Sequence, residues 1–165
     1  MRPNEKKWIW LLSGLAALSV IGMIVALCIP RTPKLGTFTP PAFEPAAERG
    51  SPDVGDRQDY TELYRDGMAY RVSLCGAPTA EGQMLTVWFT SAADNQSYLK
   101  LRVLDKSGKT LGETGLLRPG EYVRCVSLDR ALAAAEPLTL KVMGYDPATF
   151  ESTGAVTLNV TAAGK

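Results

Sequence analysis

The longest apolar stretch of the chain lies near its N-terminus. Residues 8–30 carry no charged side chain. A helix of this length spans about 34 Å, which is enough to cross a hydrocarbon core of about 30 Å. We therefore predict a short tail at residues 1–7 and one transmembrane helix over residues 8–30. Trp8 and Trp10 are expected at a lipid–water interface, where indole rings are favoured.

Basic residues flank this stretch unequally. Arg2, Lys6 and Lys7 precede it, whereas Arg31 and Lys34 follow it. The excess favours a cytoplasmic N-terminus, because the cytoplasmic flanks of membrane helices are enriched in lysine and arginine. We expect a single-pass protein of the cytoplasmic membrane whose C-terminal domain is extracytoplasmic.

Two other interpretations of the apolar stretch are weaker. A cleaved signal peptide has a shorter apolar region, of about 7 to 15 residues, followed by an A-x-A-like site. Val25 to Cys28 is similar to a bacterial lipobox, but Leu27 is large where that motif has a small residue. A retained signal anchor is therefore the preferred prediction.

Residues 31–66 have no apolar periodicity. Their repeated prolines exclude a helix or a central strand. Acidic residues outnumber basic ones between Glu44 and Asp66, so the segment is also self-repelling. We predict an extended, proline-rich, acidic linker, in which Phe38 and Phe43 form a candidate short binding motif.

Between residues 67 and 162 the pattern changes to about seven short runs of alternating apolar and polar residues. Such alternation is typical of antiparallel strands with one buried face. We predict a mainly β domain here, an immunoglobulin- or fibronectin-like sandwich, followed by a tail at residues 163–165. The predicted inward positions are Tyr70, Val72, Leu74, Leu85, Val87, Phe89, Leu99, Leu101, Val103, Tyr122, Val126, Leu128, Leu138, Leu140, Val142, Val156, Leu158 and Val160.

Turn residues separate these runs. Asp105–Gly108 is predicted to close a hairpin, with Gly108 at positive φ. Arg118–Glu121 is predicted to form a type II turn, with Gly120 at its third position. The alanine-rich segment 129–136 is predicted to form one or two helical turns where the chain crosses between sheets.

The composition argues against several classes of function. The net charge of +1, from 18 basic and 17 acidic residues, provides no global field that would attract nucleic acid. The chain has no histidine, which is the commonest general base near neutral pH and the commonest metal ligand. We therefore expect a protein that is not an enzyme and that has no cofactor, metal or nucleic-acid partner.

Two of the three cysteines, Cys75 and Cys125, are the only pair able to form an intradomain disulfide, because Cys28 lies in the apolar stretch. Trp88 lies between them, which is the order found in immunoglobulin domains. The alternation places all three on the outward phase, so that only a bulge would bring them to the core. The pattern leaves this disulfide open.

Five basic residues share the outward phase of their predicted strands. A basic face on part of a sheet would suit anionic lipid head groups or anionic wall polymers. The solvent faces of sandwiches also carry lysine and arginine routinely, and acidic residues elsewhere offset them. The five residues are Arg71, Lys100, Arg102, Arg124 and Lys141.

The segment 111–122, LGETGLLRPGEY, and the later Gly144-Tyr145 carry a resemblance. The chain resembles small single-span, membrane-anchored bacterial proteins of unassigned function with a β-sandwich-like extracytoplasmic domain, and Gram-positive gut bacteria are the expected source. The resemblance covers Tyr70 to Asn159. It implies an extracytoplasmic β-domain and no catalytic residue.

These observations favour a non-enzymatic envelope or surface protein whose β-domain binds a protein or a cell-wall component. One alternative is an accessory subunit of a larger membrane complex, recruited through residues 8–30. Another is a weak carbohydrate-acting enzyme, which requires a cleft with two carboxylates at catalytic separation. Acids of the domain such as Glu113 and Glu121 form no recognisable constellation. Partner identity and oligomeric state are not encoded in any motif.

Overall fold

The computed structural model describes part of the chain: residues 38–53, 60–63 and 70–164, and within the N-terminal segment Trp8, Trp10, Ala16, Ser19 and Met23. These five N-terminal residues have helical backbone. Among the described residues, no helix is both long and apolar enough to cross a membrane. Most of residues 8–30 lie outside the described part, so the transmembrane helix and its orientation stay predictions.

The chain divides into two compact units, Met1–Thr39 and Pro40–Lys165. The second unit contains the strands of the described residues. Their bounds are β1 Glu48–Arg49, β2 Tyr60–Leu63, β3 Val72–Cys75, β4 Thr79–Glu81, β5 Met84–Ser91, β6 Tyr98–Asp105, β7 Thr110–Glu113, β8 Glu121–Ser127, β9 Pro137–Tyr145, β10 Ser152–Thr161 and β11 Ala163–Gly164.

Within the described residues these strands form two sheets. The seven-stranded sheet has the order β1-β8-β5-β3-β2, with β4 paired to β5 and β11 paired to β4. The four-stranded sheet has the order β10-β9-β6-β7. Every strand pair is antiparallel except β11 with β4. The prediction of a mainly β, two-sheet domain is confirmed, and its immunoglobulin- or fibronectin-like type stays a prediction.

One apolar cluster fills the space between the sheets. Leu85 and Phe89 project into it from β5, and Leu101 and Leu140 project from β6 and β9. All four are fully buried, which stabilises the fold by about 1.5–3 kcal/mol for each side chain. The predicted inward positions are buried, except that Leu158 is partly buried and Tyr122 points outward.

Both predicted turns form. In Asp105–Gly108 the first residue donates its amide proton to the carbonyl of Lys109 (2.9 Å), and Gly108 has a φ of 84°. In Arg118–Glu121 the last residue donates its amide proton to the carbonyl of the first (3.1 Å), and Gly120 has a φ of 76°. Glycine is needed at both places because a Cβ is disfavoured at positive φ.

The prediction for Tyr122 is wrong because the inward phase changes within β8. Val123 and Val126 are both buried although they are three positions apart. The register between β5 and β8 shifts between Thr86 and Phe89, as expected where one strand carries an extra residue. The shift leaves the Tyr122 ring on the outer surface of the seven-stranded sheet.

The crossover at residues 129–136 connects the two sheets as predicted, but it contains no helical turn. Its ends are joined by Arg130 and Glu136, whose Nη1 and Oε2 atoms are 3.0 Å apart. Ala135 has a φ of 56°, in the left-handed region. This residue and the following Pro137 interrupt the right-handed backbone that a helix requires.

Part of the predicted linker packs on the sandwich, and we call residues 42–50 the N-terminal strap. Leu116 donates its amide proton to the carbonyl of Ala42 and accepts one from Glu44, both at 2.9 Å. Further along, β1 pairs with β8. A Cβ on Gly115 would lie 2.5 Å from the Glu44 nitrogen, so this close approach needs glycine. The packed unit therefore begins well before residue 67.

Residues 163–164 of the predicted tail are likewise part of the fold, since β11 pairs with β4. Ala163 lies opposite Thr79, and Gly164 lies opposite Ala80. The amide of Ala163 donates to the carbonyl of Pro78 at 2.9 Å. The alternating pattern ends at residue 162, so it gave no signal for this short parallel strand.

Candidate functional site

Three of the five predicted basic residues lie together on the outer face of the four-stranded sheet, and we call Lys100, Arg102 and Lys141 the basic row. Lys100 and Arg102 alternate on β6 with inward Leu101. Lys141 lies on β9, directly opposite Arg102. Because alternate side chains of a strand share a face, the three cations project to the same side.

Among the described residues a single carboxylate, Glu113 on β7, forms ion pairs with the basic row. Its Oε1 atom is 2.6 Å from the Nζ atom of Lys100, and its Oε2 atom is 2.9 Å from Nη2 of Arg102. Partial burial, the largest single influence, acts to raise the pKa of Glu113, but the hydrogen bonds from the two cations outweigh it and lower the pKa. Glu113 is therefore ionised near neutral pH, which leaves the group of three cations and one anion with a charge of +2.

Lys141 differs from the other two members of the basic row. No carboxylate among the described residues forms an ion pair with it. Its neighbour across the strand pair is the guanidinium of Arg102, a charge of the same sign. Like charges directly opposite each other weaken a strand pair, so this position gains from an external anion.

A small depression, which we call the polar hollow, lies beside the basic row at the ends of β9 and β10. Its volume is about 220 Å³. The Thr139 hydroxyl donates to Oδ1 of Asn159 at 2.9 Å within it. Lys106, from the turn between β6 and β7, contributes to its wall. The remaining lining residues are Pro137, Leu138, Val160 and Thr161.

An aromatic cluster lies at the opposite end of β6. The Tyr98 ring packs edge-on against Phe43 of the N-terminal strap, with centroids 5.1 Å apart, and lies 6.0 Å from Phe150. The Arg118 guanidinium stacks 3.7 Å above the Phe43 ring. Phe43 was considered a linker motif from sequence, but here it is a packing contact of the domain.

The other two predicted basic residues do not join the basic row. Arg71 forms an ion pair with Asp94 at 2.7 Å near the start of β3. Arg124 lies on β8, with its guanidinium 5.1 Å from the Trp88 ring. Both belong to the seven-stranded sheet, so the five residues do not form one basic face.

No disulfide joins Cys75 and Cys125 in the structure. They lie on β3 and β8 of the same sheet, with β5 between them. Strands two positions apart are separated by about 9.5 Å, beyond the reach of about 7 Å for a disulfide. Trp88 remains on the outer face beside them, unlike the buried tryptophan of immunoglobulin domains.

The carboxylates considered for glycoside chemistry lie on different sheets. Glu113 is held by the basic row on β7, whereas Glu121 begins β8 and accepts the amide proton of Arg118 at 2.8 Å. Among the described residues no cluster of three or more cysteine or carboxylate side chains is arranged to hold a metal ion. The outward cations are therefore the chemistry that this part of the chain presents.

Comparisons with known proteins add a structural similarity. No protein-family model matches the chain. No curated protein sequence matches it either. Among solved structures, the chain is similar to "The crystal structure of CopC from Methylosinus trichosporium OB3b", with a TM-score of 0.36 and 14% sequence identity over 64% of this chain and 94% of that chain. A similarity at this level assigns no function.

Proposed function

We propose that the β-domain is a non-enzymatic binding module that holds an anionic polymer of the cell envelope on the outer face of its four-stranded sheet. The observation that carries this proposal is that Arg102 and Lys141 lie directly opposite each other on neighbouring strands, with Lys100 beside them. Among the described residues, one carboxylate forms ion pairs with this group of three cations. In this proposal residues 8–30 anchor the module in the cytoplasmic membrane. The resemblance to small membrane-anchored bacterial proteins supports that placement.

The shape of the site favours an extended ligand. The outer face of β6 between Tyr98 and Lys106 is about 25 Å long. The basic row lies at its middle and the polar hollow at one end. A chain molecule with repeated negative charges contacts both at once, which adds their binding energies without a second loss of translational freedom.

A polymer fits this face better than a lipid bilayer. Proteins that bind membrane surfaces insert exposed large apolar side chains beside their basic residues. Among the described residues the exposed large apolar side chains are Trp8, Trp10, Met23, Phe38 and Met84, and none of them lies on the four-stranded sheet. The basic row therefore lacks the apolar neighbours that would hold it in a head-group layer.

The test compares the full-length protein in neutral detergent with the double variant Arg102→Gln/Lys141→Gln. Binding to immobilised anionic wall polymer is measured over a range of salt concentrations. The variant should bind at least about tenfold more weakly, and its affinity should depend less on salt, since fewer counterions are released. Arg71→Gln/Arg124→Gln is the matched control, because it also removes two positive charges, and both lie away from the four-stranded sheet.

Two results would count against the proposal. Equal loss of affinity in Arg71→Gln/Arg124→Gln and in Arg102→Gln/Lys141→Gln would show that net charge alone governs binding. Stronger binding to nanodiscs of anionic lipid than to the polymer, removed by the double variant, would assign the face to the membrane surface instead.

A further inference from the structure

We infer that the polar hollow is a phosphate-binding subsite, so that the polymer carries its charge on phosphodiester groups; this inference rests on the proposed function. It assigns a ligand class to residues that the basic row does not include. Lys106 and Asn159 supply the donors, and Thr139 orients them.

The hydrogen bond inside the polar hollow fixes which groups remain available. Thr139 gives its hydroxyl proton to Oδ1 of Asn159, so the acceptor side of that amide is engaged. The Nδ2 group of Asn159 then keeps two protons, and it has no acceptor among the described residues. Lys106 adds an ammonium group with no ion pair in that same part of the chain.

These functional groups favour phosphate over a neutral sugar. Phosphodiester oxygens are acceptors, and ammonium and amide groups are donors, so each available proton finds a partner. Sugar hydroxyls also need acceptors for their own protons, and the best acceptor in the polar hollow is already used by Thr139. The volume of about 220 Å³ is sufficient for a phosphate group with part of its solvent shell.

The carboxylate next to Lys106 in the chain, Asp105, forms no ion pair with it. Asp105 accepts the amide proton and the hydroxyl proton of Ser107 and the amide proton of Lys109, so its Oδ1 atom is turned into the hairpin. The hydrogen bond from the Ser107 side chain is the main reason why the pKa of Asp105 is lowered. Lys106 is left facing the polar hollow.

The register places the polar hollow beside the basic row at a short, fixed spacing. Thr139 pairs with Asn159, and Lys141, two residues along β9, pairs with Thr157. Two residues along a strand correspond to about 7 Å. Successive phosphates of a flexible phosphodiester chain can occupy the polar hollow and the basic row together, whereas an isolated phosphate occupies one of them.

The experiment compares two polymers with the full-length protein in neutral detergent. Poly(glycerol phosphate) carries phosphodiesters, and polygalacturonate of matched length carries carboxylates. Wild type should bind the phosphate polymer about tenfold more tightly, because its flexible chain can place successive phosphodiesters in the polar hollow and on the basic row together, whereas the stiffer polygalacturonate chain cannot. Asn159→Asp and Lys106→Gln should each remove this preference and leave binding to polygalacturonate within about twofold.

Thr157→Asp is the matched control, because it adds the same charge to β10 beside Lys141 and outside the polar hollow. It should weaken binding of both polymers equally. If wild type binds both polymers alike, or if Asn159→Asp behaves as Thr157→Asp does, the phosphate subsite is refuted while the proposed function stands. If neither polymer binds, the proposed function itself fails.

One further arm separates two sources of phosphate. Nanodiscs of phosphatidylglycerol present phosphate on a lipid surface, and nanodiscs of phosphatidylcholine are the control. Wild type should bind phosphatidylglycerol nanodiscs no more tightly than Asn159→Asp does. Tighter binding by wild type would assign the phosphate to lipid and overturn the inference for a polymer.

Discussion

If the proposed function is right, replacing Glu113 by glutamine should make the protein bind the proposed polymer more tightly while making the fold slightly less stable. Glu113 forms ion pairs with two members of the basic row, Lys100 and Arg102. Glutamine keeps the size and one carbonyl acceptor of the side chain. The charge of the four-residue group changes from +2, for three cations and one anion, to +3.

The size of the gain follows from the strand spacing. An anion between Arg102 and Lys141 lies one and a half strand separations from Glu113, or about 7 Å. At that distance the repulsion between two unit charges in water is about 0.6 kcal/mol. Removing the carboxylate should therefore raise the affinity about threefold at low salt. The gain should shrink at high ionic strength, because exposed charges are screened.

The stability change has the opposite sign and a similar size. Glu113 has 40% of its side chain exposed, so its two ion pairs count as surface pairs. Such pairs contribute about 0.2–1 kcal/mol each, and glutamine retains one of the hydrogen bonds. The free energy of unfolding should fall by about 0.5–1 kcal/mol.

The same carboxylate gives wild type a pH dependence that Glu113→Gln lacks. The folded pKa of Glu113 is lowered, so its stabilising effect is fully present above the unfolded value of 4.5 and is lost as the pH falls through the folded pKa. Over the same acid range the affinity of wild type for the polymer should rise toward that of the variant, provided that the ligand stays ionised.

Titration calorimetry with the phosphate polymer and urea denaturation of the full-length protein measure the two effects. Glu48→Gln is the matched control, because it removes an exposed carboxylate from the seven-stranded sheet. If Glu113→Gln lowers the affinity, or if Glu48→Gln raises it equally, the assignment of the ligand to the basic row is wrong.

Three further predictions concern the fold itself. Gly144→Ala should lower the free energy of unfolding by about 1–3 kcal/mol, because its Cβ would lie 2.4 Å from the Tyr70 ring. Urea denaturation measures this change, and an unchanged midpoint would contradict this packing. Burial raises the pKa of Tyr70 to about 12, so the stability due to this group is complete below pH 10 and is lost as the pH rises through 12. The hydrogen bond with Glu48 also raises the pKa of Tyr122. Ultraviolet absorbance should therefore show a tyrosine that titrates near pH 12 and is removed by Tyr70→Phe, and an identical titration curve in Tyr70→Phe, apart from the loss of one group near pH 10, would disprove the burial of Tyr70. Dithiothreitol should leave the melting temperature unchanged, because no disulfide joins Cys75 and Cys125, and a fall in the melting temperature would indicate one. Iodoacetamide should modify partly buried Cys125 before buried Cys75.

The strands were predictable because a two-sheet core imposes a period of two on each of them. Leu99, Leu101 and Val103 alternate with outward residues on β6, and the structure buries all three. The rule failed at Tyr122, where the register shift opposite β5 changes the phase. Nothing in the local sequence of β8 signals a bulge that its partner strand carries.

The candidate site was only half predictable, since outward phase does not reveal which sheet a strand joins. Lys141 and Arg124 have the same phase in sequence, yet they lie on different sheets. The polar hollow was missed entirely, because Lys106 and Asn159 are far apart in the chain and meet only through the order β10-β9-β6-β7. An outward asparagine paired with an outward threonine was the available signal, and it is common in exposed strands.

The N-terminal strap determines how the seven-stranded sheet ends. Without β1, strand β8 would be an edge strand with unpaired backbone groups. Strand β1 pairs with Glu121 and Tyr122 at the start of β8. Another chain can add a strand to an unpaired edge, which leads to self-association. A proteolytic cut after residue 53 would separate this cover from the rest of the domain, so the cleaved domain would be open to exchange of strands between neighbouring copies.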